Sequence, residues 1–390
     1  MENKASSCPM DFGCVTPEYV YRIWGGSVTI EEIVTAMKEV KSNCKNMLTV
    51  KYIPMQYYDA IIISFTAEDG TMHHIFVDGG DINSPKYCYA DRLKKDLEAL
   101  FNSGETIDLW IVTHIDNDHI GGIYNFINDT DFFNAHQGQL KEVWMNYGDK
   151  GDYTVQREGN IGYESGKMLR DALKEKQICV KESLMAGHTV SIADVTITVI
   201  APDEVALKHY VAWWNNKEFK DMVETADGQI KGGDWDYEKK FKEFDLTHYD
   251  EDKEVKNNSS IAFVLSYHGH QLLFAADSCT SILEAGLKKA NIMVDGKLKL
   301  DLMHIPHHGS SRNTSTSFLQ RIDCLQYVIT GNGENRYKLP DKETVARLIN
   351  ANLAGCELHF TQMNSKLKEI FADDDCGNLK VEWDAHFKFE

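Results

Sequence analysis

The segment Thr113-His114-Ile115-Asp116-Asn117-Asp118-His119-Ile120-Gly121-Gly122 constrains this chain more than any other. His114, Asp116, Asp118 and His119 place four metal-capable side chains within six residues. They follow Ile107-Asp108-Leu109-Trp110-Ile111-Val112, which reads as a strand, and they end in a Gly-Gly turn. A strand that stops at a sheet edge delivers the next residues as a loop. This loop presents imidazoles and carboxylates to one point, a donor mixture that suits Zn, Mn or Fe.

The rest of the chain supplies a sheet for that loop. Residues 1–48 read as an N-terminal helical extension: Thr29 is an N-cap with Glu32 three residues on, and the helix runs to about Lys41. Residues 49–390 read as one domain. Met47 to Ile53, Asp59 to Phe65 and His74 to Val77 are strand-like, and a helix from about Ala90 to Asn102 follows. After the metal loop come a short strand at Val143 to Asn146, a helix at Ser165 to Lys176 and paired strands within Val190 to Ile200. Strands return at Ile261 to Tyr267, Gln271 to Ala275, Leu300 to Ile305, Leu325 to Thr330 and Glu357 to Thr361, with helices between them. Two such halves predict an α+β fold, a four-layer αββα sandwich. Residues 203–256 interrupt the pattern with 15 acidic and 9 basic residues and three tryptophans, Trp213, Trp214 and Trp235. They read as an insertion at about 203–256 whose aromatic residues fasten it to the core or stack on a substrate base.

A net charge of −19 argues against holding nucleic acid by non-specific phosphate contacts. A nuclease is still allowed, because divalent cations can supply positive charge locally. The nine cysteines are scattered and form no CxxC pair, so reduced thiols are expected rather than a disulfide framework. Met1 to Cys14 carries no signal-like apolar stretch, and no window approaches a membrane span. The expectation is a cytoplasmic protein without a membrane partner.

In chain order, Val77-Asp78-Gly79-Gly80, the His114–Gly122 run, Asn257-Asn258-Ser259-Ser260, Ala276-Asp277 and Pro306-His307-His308-Gly309-Ser310 form a set. With it the chain resembles the metallo-β-lactamase-fold hydrolases, in particular the soluble hydrolase domain of the ComEC competence-protein family. The resemblance implies two divalent metal ions, Zn or Mn with Mg possible. It places His114 and Asp116 on the first ion and Asp118 and His119 on the second. Asp277 would bridge them and His308 would complete the second site. Asp78 would orient the metal loop from behind. Asp116 stands where the general pattern has a second histidine. Asn258 stands near a third-motif histidine of many relatives and could offer only an amide oxygen, so the first site would be oxygen-rich and weaker, and one site alone could be filled without substrate. His188 reads as a turn histidine and His304 as a core histidine. His307 is a candidate catalytic acid and Asp118 a candidate proton acceptor. Ser310, Arg312, Asn335, Arg336 and Lys338 are candidates for holding a phosphate, although the Asn-Arg-Tyr-Gly-His-Pro segment common in relatives reads Asn335-Arg336-Tyr337-Lys338-Leu339-Pro340 here.

The leading expectation is a metal-dependent phosphodiesterase or nuclease acting on DNA, RNA or a cyclic nucleotide, within a defence or signalling system and with room for an activating protein partner. The alternatives are a hydrolase of another ester (lactone, thioester or β-lactam) and a non-enzymatic binding protein on the same fold.

Overall fold

The computed structural model describes residues 47–56, 58–148, 161–215, 235–335, 337–372 and 374–390. The helix expected in residues 1–48 lies outside the described residues, as does Arg336.

Two sheets lie face to face. The first runs, edge to edge, β17 (His386–Phe389), β1 (Leu48–Tyr52), β2 (Ala60–Thr66), β3 (Met72–Asp78), β4 (Ile107–Ile111), β5 (Val143–Trp144) and β6 (Val180–Lys181). The second runs β16 (Leu379–Glu382), β15 (Cys356–Phe360), β14 (Gln326–Ile329), β12 (Leu302–His304), β10 (His270–Phe274), β9 (Ala262–Tyr267), β8 (Val195–Ala201) and β7 (Thr189–Ile192). A two-stranded ribbon of β11 (Leu298–Leu300) and β13 (Ile322–Cys324) flanks it. The single strand expected at Leu300 to Ile305 is thus divided between two sheets, with Asp301 at the break.

Side-chain alternation builds three layers of core. Ile61, Ile63, Phe65, Leu109 and Ile111 of the first sheet meet Ile197, Val199, Phe263, Leu265 and Phe274 of the second. On the outer face of the first sheet, Ile62, Phe76 and Trp110 pack against α1 (Lys94–Asn102), α2 (Asn117–Asn128) and α3 (Ile161–Glu175) through Leu97, Ile120, Ile123, Phe126 and Leu169. On the outer face of the second, Val264, Leu273 and Met303 pack under α6 (Thr280–Ala290) and α7 (Lys342–Ala351). The layers are helix, sheet, sheet, helix, as the pattern implied.

The segment at 203–256 contributes α4 (Glu204–Asn215), whose Tyr210, Trp213 and Trp214 are buried against the first helical layer. These two tryptophans fasten the helix to the core. Trp235, about 41% exposed, donates its indole N–H to the Gly333 carbonyl at 3.0 Å and lies under the ammonium groups of Lys338 and Lys366.

Strand direction decides where the chemistry collects. β3, β4 and β5 are mutually parallel, as are β10, β12 and β14, so both sets end at one edge of the sandwich. β2 is antiparallel to β3, with Ala60 opposite Asp78, so its start reaches the same edge. Asp59, Asp78, the metal loop, Asp277, His307, His308 and Thr330 are therefore brought together although up to 271 residues apart, from Asp59 to Thr330 (330 − 59).

Candidate metal centre

The loop after β4 turns at once into α2. Asp116 is the residue before the helix, and Asp118 and His119 occupy its first turn, where the helix end favours negative charge. Two glycine pairs allow this. Gly121 donates its N–H to the Gly80 carbonyl at 2.7 Å, and Asn117 accepts from Ile82. A Cβ on Gly121 would lie 2.4 Å from the Asp81 carbonyl carbon, and one on Gly79 would lie 2.6 Å from the Gly122 Cα. The loop after β3 and the start of α2 thus touch backbone to backbone, which no larger residue permits.

Four residues around the site hold a left-handed backbone: Asp78 (φ 55), Ala276 (φ 47), His307 (φ 48) and His308 (φ 53). Such conformations cost about 1–3 kcal/mol each for non-glycine residues and persist where the surroundings enforce them. Here they turn side chains at strand ends toward a common point. Gly309 (φ 90) completes the His-His turn against Pro340.

Asp277 is the hub. Its Oδ2 lies 3.5 Å from His114 Nε2, 3.7 Å from His119 Nε2, 3.5 Å from His307 Nε2 and 4.0 Å from His308 Nε2. His308 Nε2 is also 3.2 Å from Asp118 Oδ2. The nitrogens His114 Nε2 and His119 Nε2 and the oxygen Asp277 Oδ1 are buried and make no hydrogen bond. Buried polar atoms are almost always paired, and a divalent cation between these atoms would satisfy all three. Among the described residues, three groups have ligand atoms within 4.8 Å of one another: Asp118, His119 and His308; His114, His119 and Asp277; and Asp59, Asp78 and His119. Their chemistry, imidazole with carboxylate, fits a divalent transition metal.

Each imidazole is oriented from its far side. Asp78 accepts from His119 Nδ1 at 2.8 Å and from the Thr113 backbone N–H and hydroxyl. The Thr113 hydroxyl in turn lies 3.1 Å from His114 Nδ1, so one carboxylate aligns two histidines. On the opposite sheet, His308 Nδ1 lies 3.0 Å from Thr330 Oγ1 and 3.3 Å from Asp59 Oδ1. With Nδ1 occupied, Nε2 is the coordinating atom, a pattern that fixes tautomer and ring angle.

The electrostatics are those of carboxylates short of positive charge. Burial disfavours charge on every group, yet Asp277 is held well below the usual carboxylate range by His307, His119, His308 and His114. Burial likewise opposes protonation of His308, but Asp59 and Asp277 raise it to about 10. His307 is raised to about 9 against burial by Asp277 and Asp252. His114 goes the other way, lowered by burial and by His119.

Several candidates stand elsewhere than expected. Asp116 turns its Oδ1 to the Lys256 ammonium at 2.7 Å, and its Oδ2 is 3.9 Å from His114 Nε2. Asn258 donates its side-chain N–H to the Asp252 carbonyl at 3.2 Å and lines a cleft with Asp203 and His209, while its Oδ1 is buried and makes no hydrogen bond. The Asn335 amide donates to Leu339 and accepts from Tyr337 and Leu339, so it shapes its own turn. Ser310 accepts from the Arg312 N–H, the Arg312 side chain lies 3.8 Å from Asp250, and Lys338 stacks on Trp235. His304 is buried 3.6 Å from Asp59, a core position, and His188 packs on Trp144. His307 stands at the mouth, its side chain 21% exposed against 0% for His114 and His119.

Three contributors escaped sequence reading. Asp59 carried a signal, a lone carboxylate opening an apolar strand. Lys256 and Asp252 did not, because Asp252-Lys253-Glu254-Val255-Lys256 reads as ordinary polar surface. Asp252 nevertheless accepts from Asn257 and Asn313, and Asn313 Oδ1 lies 2.9 Å from His307 Nδ1.

The family model described as the metallo-beta-lactamase superfamily matches residues 87–325, more than half of the chain. Among curated proteins none matches. Solved structures similar to this chain include the metallo-beta-lactamase fold protein YhfI from Bacillus subtilis, at 10% identity and a TM-score of 0.38, covering 88% of this chain and 100% of that one. The long form RNase Z from yeast aligns at 11% identity and a TM-score of 0.36, over 90% of this chain and 42% of that one. The Zn(2+)-bound PqqB from Methylobacterium extorquens aligns at 10% identity and a TM-score of 0.34, over 84% and 86%.

Proposed function

The chain belongs to the metallo-β-lactamase superfamily, and from that premise we propose that it is a metal-dependent phosphodiesterase or nuclease of the ComEC-like branch. The observation that carries metal-dependent hydrolysis is the convergence of buried, hydrogen-bond-free His114 Nε2, His119 Nε2 and Asp277 Oδ1 beside His308 and Asp118. A bound divalent cation supplies Lewis acidity and an activated water near neutral pH.

The protein's own groups do the rest. Asp118, His119, His308 and Asp277 hold the cation. Asp78 and Asp59 keep the rings of His119 and His308 aimed at it. Asp118 is partly exposed, about 27% by side chain, and its second role is to accept the proton of the attacking water. His307, which reaches the mouth of the site, is the group placed to donate a proton to the leaving alkoxide. Asn313 and Asp252 hold its ring in place. The Lys256 ammonium beside the cluster favours an anionic electrophile over a neutral ester. The Asn257-Asn258-Ser259-Ser260 and Pro306-His307-His308-Gly309-Ser310 motifs support the same branch.

The test is hydrolysis of bis-p-nitrophenyl phosphate and of linear and circular DNA with Mn²⁺, with a lactone as comparison. Cleavage that disappears in Asp118→Ala/His119→Ala supports the proposal. Turnover of the lactone alone would replace the substrate class, and no turnover of either by metal-loaded protein would remove the reading.

A further inference from the structure

Among the described residues, Lys256 is the cation placed directly on a candidate metal ligand. Its Nζ lies 2.7 Å from Asp116 Oδ1 and 3.9 Å from Glu254 Oε1, with its side chain only 18% exposed. The lysine sits on α5 (Val255–Asn258), a single turn just before β9. Asp252 holds that turn through the Asn257 amide at 2.9 Å and the Glu254 N–H at 3.0 Å. Ile261, at the start of β9, donates to the Thr113 carbonyl beside the metal loop at 2.8 Å. The position of the ammonium is therefore built into the fold.

The consequence falls on the His114 side of the site. Asp116 joins no group of mutually close ligand atoms, whereas Asp118, His119 and His308 do. To reach a cation beside His114, Asp116 would have to leave a buried ammonium unpaired, and the cation would then face that ammonium's charge. Both are unfavourable.

We propose that the protein holds one divalent cation tightly, among Asp118, His119, His308 and Asp277, and that Lys256 is the second positive charge of the site, positioned to bind an oxygen of an anionic phosphoryl group. An ammonium has three N–H donors. Asp116 accepts one at 2.7 Å, Glu254 at 3.9 Å is beyond hydrogen-bond distance, and a further donor is placed to meet the substrate. The assignment rests on the phosphodiesterase reading only for the substrate it names; the ion count stands apart from it.

Metal content decides the count. Protein loaded with Co²⁺ or Zn²⁺, desalted, and measured by elemental analysis and native mass spectrometry is expected to retain one ion per chain. Lys256→Met, checked for the same fold by circular dichroism, is expected to retain two, and Lys256→Arg one. With bis-p-nitrophenyl phosphate, Lys256→Met is expected to raise KM about 10- to 100-fold, the loss of one charge-assisted hydrogen bond, and Lys256→Arg to restore most of it. Two ions in the wild-type chain would overturn the proposal whether or not any variant folds. One ion in folded Lys256→Met, or an unchanged KM, would overturn the role given to Lys256. A one-ion protein that cleaves no phosphodiester would overturn the proposed function and leave the ion count standing.

Discussion

The two sides of the candidate centre are held in opposite ways. On the side of His119 and His308, each imidazole has a buried carboxylate behind it, Asp78 at 2.8 Å and Asp59 at 3.3 Å; Asp78 ends β3 and Asp59 directly precedes β2 of the first sheet. These groups are aimed before any cation arrives. On the side of Asp116, the carboxylate is partly exposed and bound to Lys256, and only His114 points inward. The first arrangement leaves negative charge in want of a cation, and the second has already supplied one. Donor identity in sequence therefore does not measure site strength; what stands behind each donor does.

The sharpest way to break this comparison is to delete one ligand from each side. His119→Ala should lower turnover by about 10³-fold, the several kcal/mol a catalytic metal supplies, and should lose the tightly held ion. Asp116→Asn should cost far less and keep that ion. Equal losses in metal content would erase the distinction.

Next come the braces. Asp78→Asn and Asp59→Asn should weaken metal binding about 10- to 100-fold, the usual range for groups that orient a ligand. Asp78→Asn should be the worse, because Asp78 also takes both Thr113 hydrogen bonds and so aligns His114. Calorimetric titration with Mn²⁺ checks the order.

A smaller effect tests the backbone contact behind the braced side. Gly121→Ala forces a Cβ to 2.4 Å from the Asp81 carbonyl carbon and should destabilise the fold by about 1–3 kcal/mol. Thermal melting beside Gly138→Ala, where nothing lies within 4 Å, separates crowding from helix propensity and turn effects.

The smallest expected change is a drift with pH. His307 and His308 are raised to about 9 and about 10, above the ~6.5 of an unfolded imidazole. The folded chain then keeps protons that the unfolded chain releases. Their contribution is full below pH ~6.5 and is lost as pH rises through 9 to 10. With a chelator present, the melting temperature should fall across that window. A saturating divalent cation should flatten the fall, because it replaces the proton on His308.

Much of this molecule was legible along the chain. The metal loop, Asp277 and the His-His turn are short, local patterns, and the alternating strands before them announce a sheet edge. The boundaries moved by a few residues, as at Leu302–His304. The C-terminal strands were not legible. Leu379–Glu382 is mixed in character, and His386–Phe389 becomes a strand only because β1 offers it an edge, Leu48 opposite Phe389. The local role of Asn335 was hidden for a related reason: an asparagine that closes its own turn looks like any other until its hydrogen bonds are known.

The sequence by itself determined the donor types, their order and the fold that carries them, because ligand spacing and hydrophobic period act over a few residues. Tertiary structure alone decided that Asp59 stands behind His308 and that Lys256 reaches Asp116. Those partners are 249 (308 − 59) and 140 (256 − 116) residues apart, and only strand pairing and direction bring them together. Charge interactions fall off with distance and strengthen with burial, so their consequences were written in the packing and not in the order of residues.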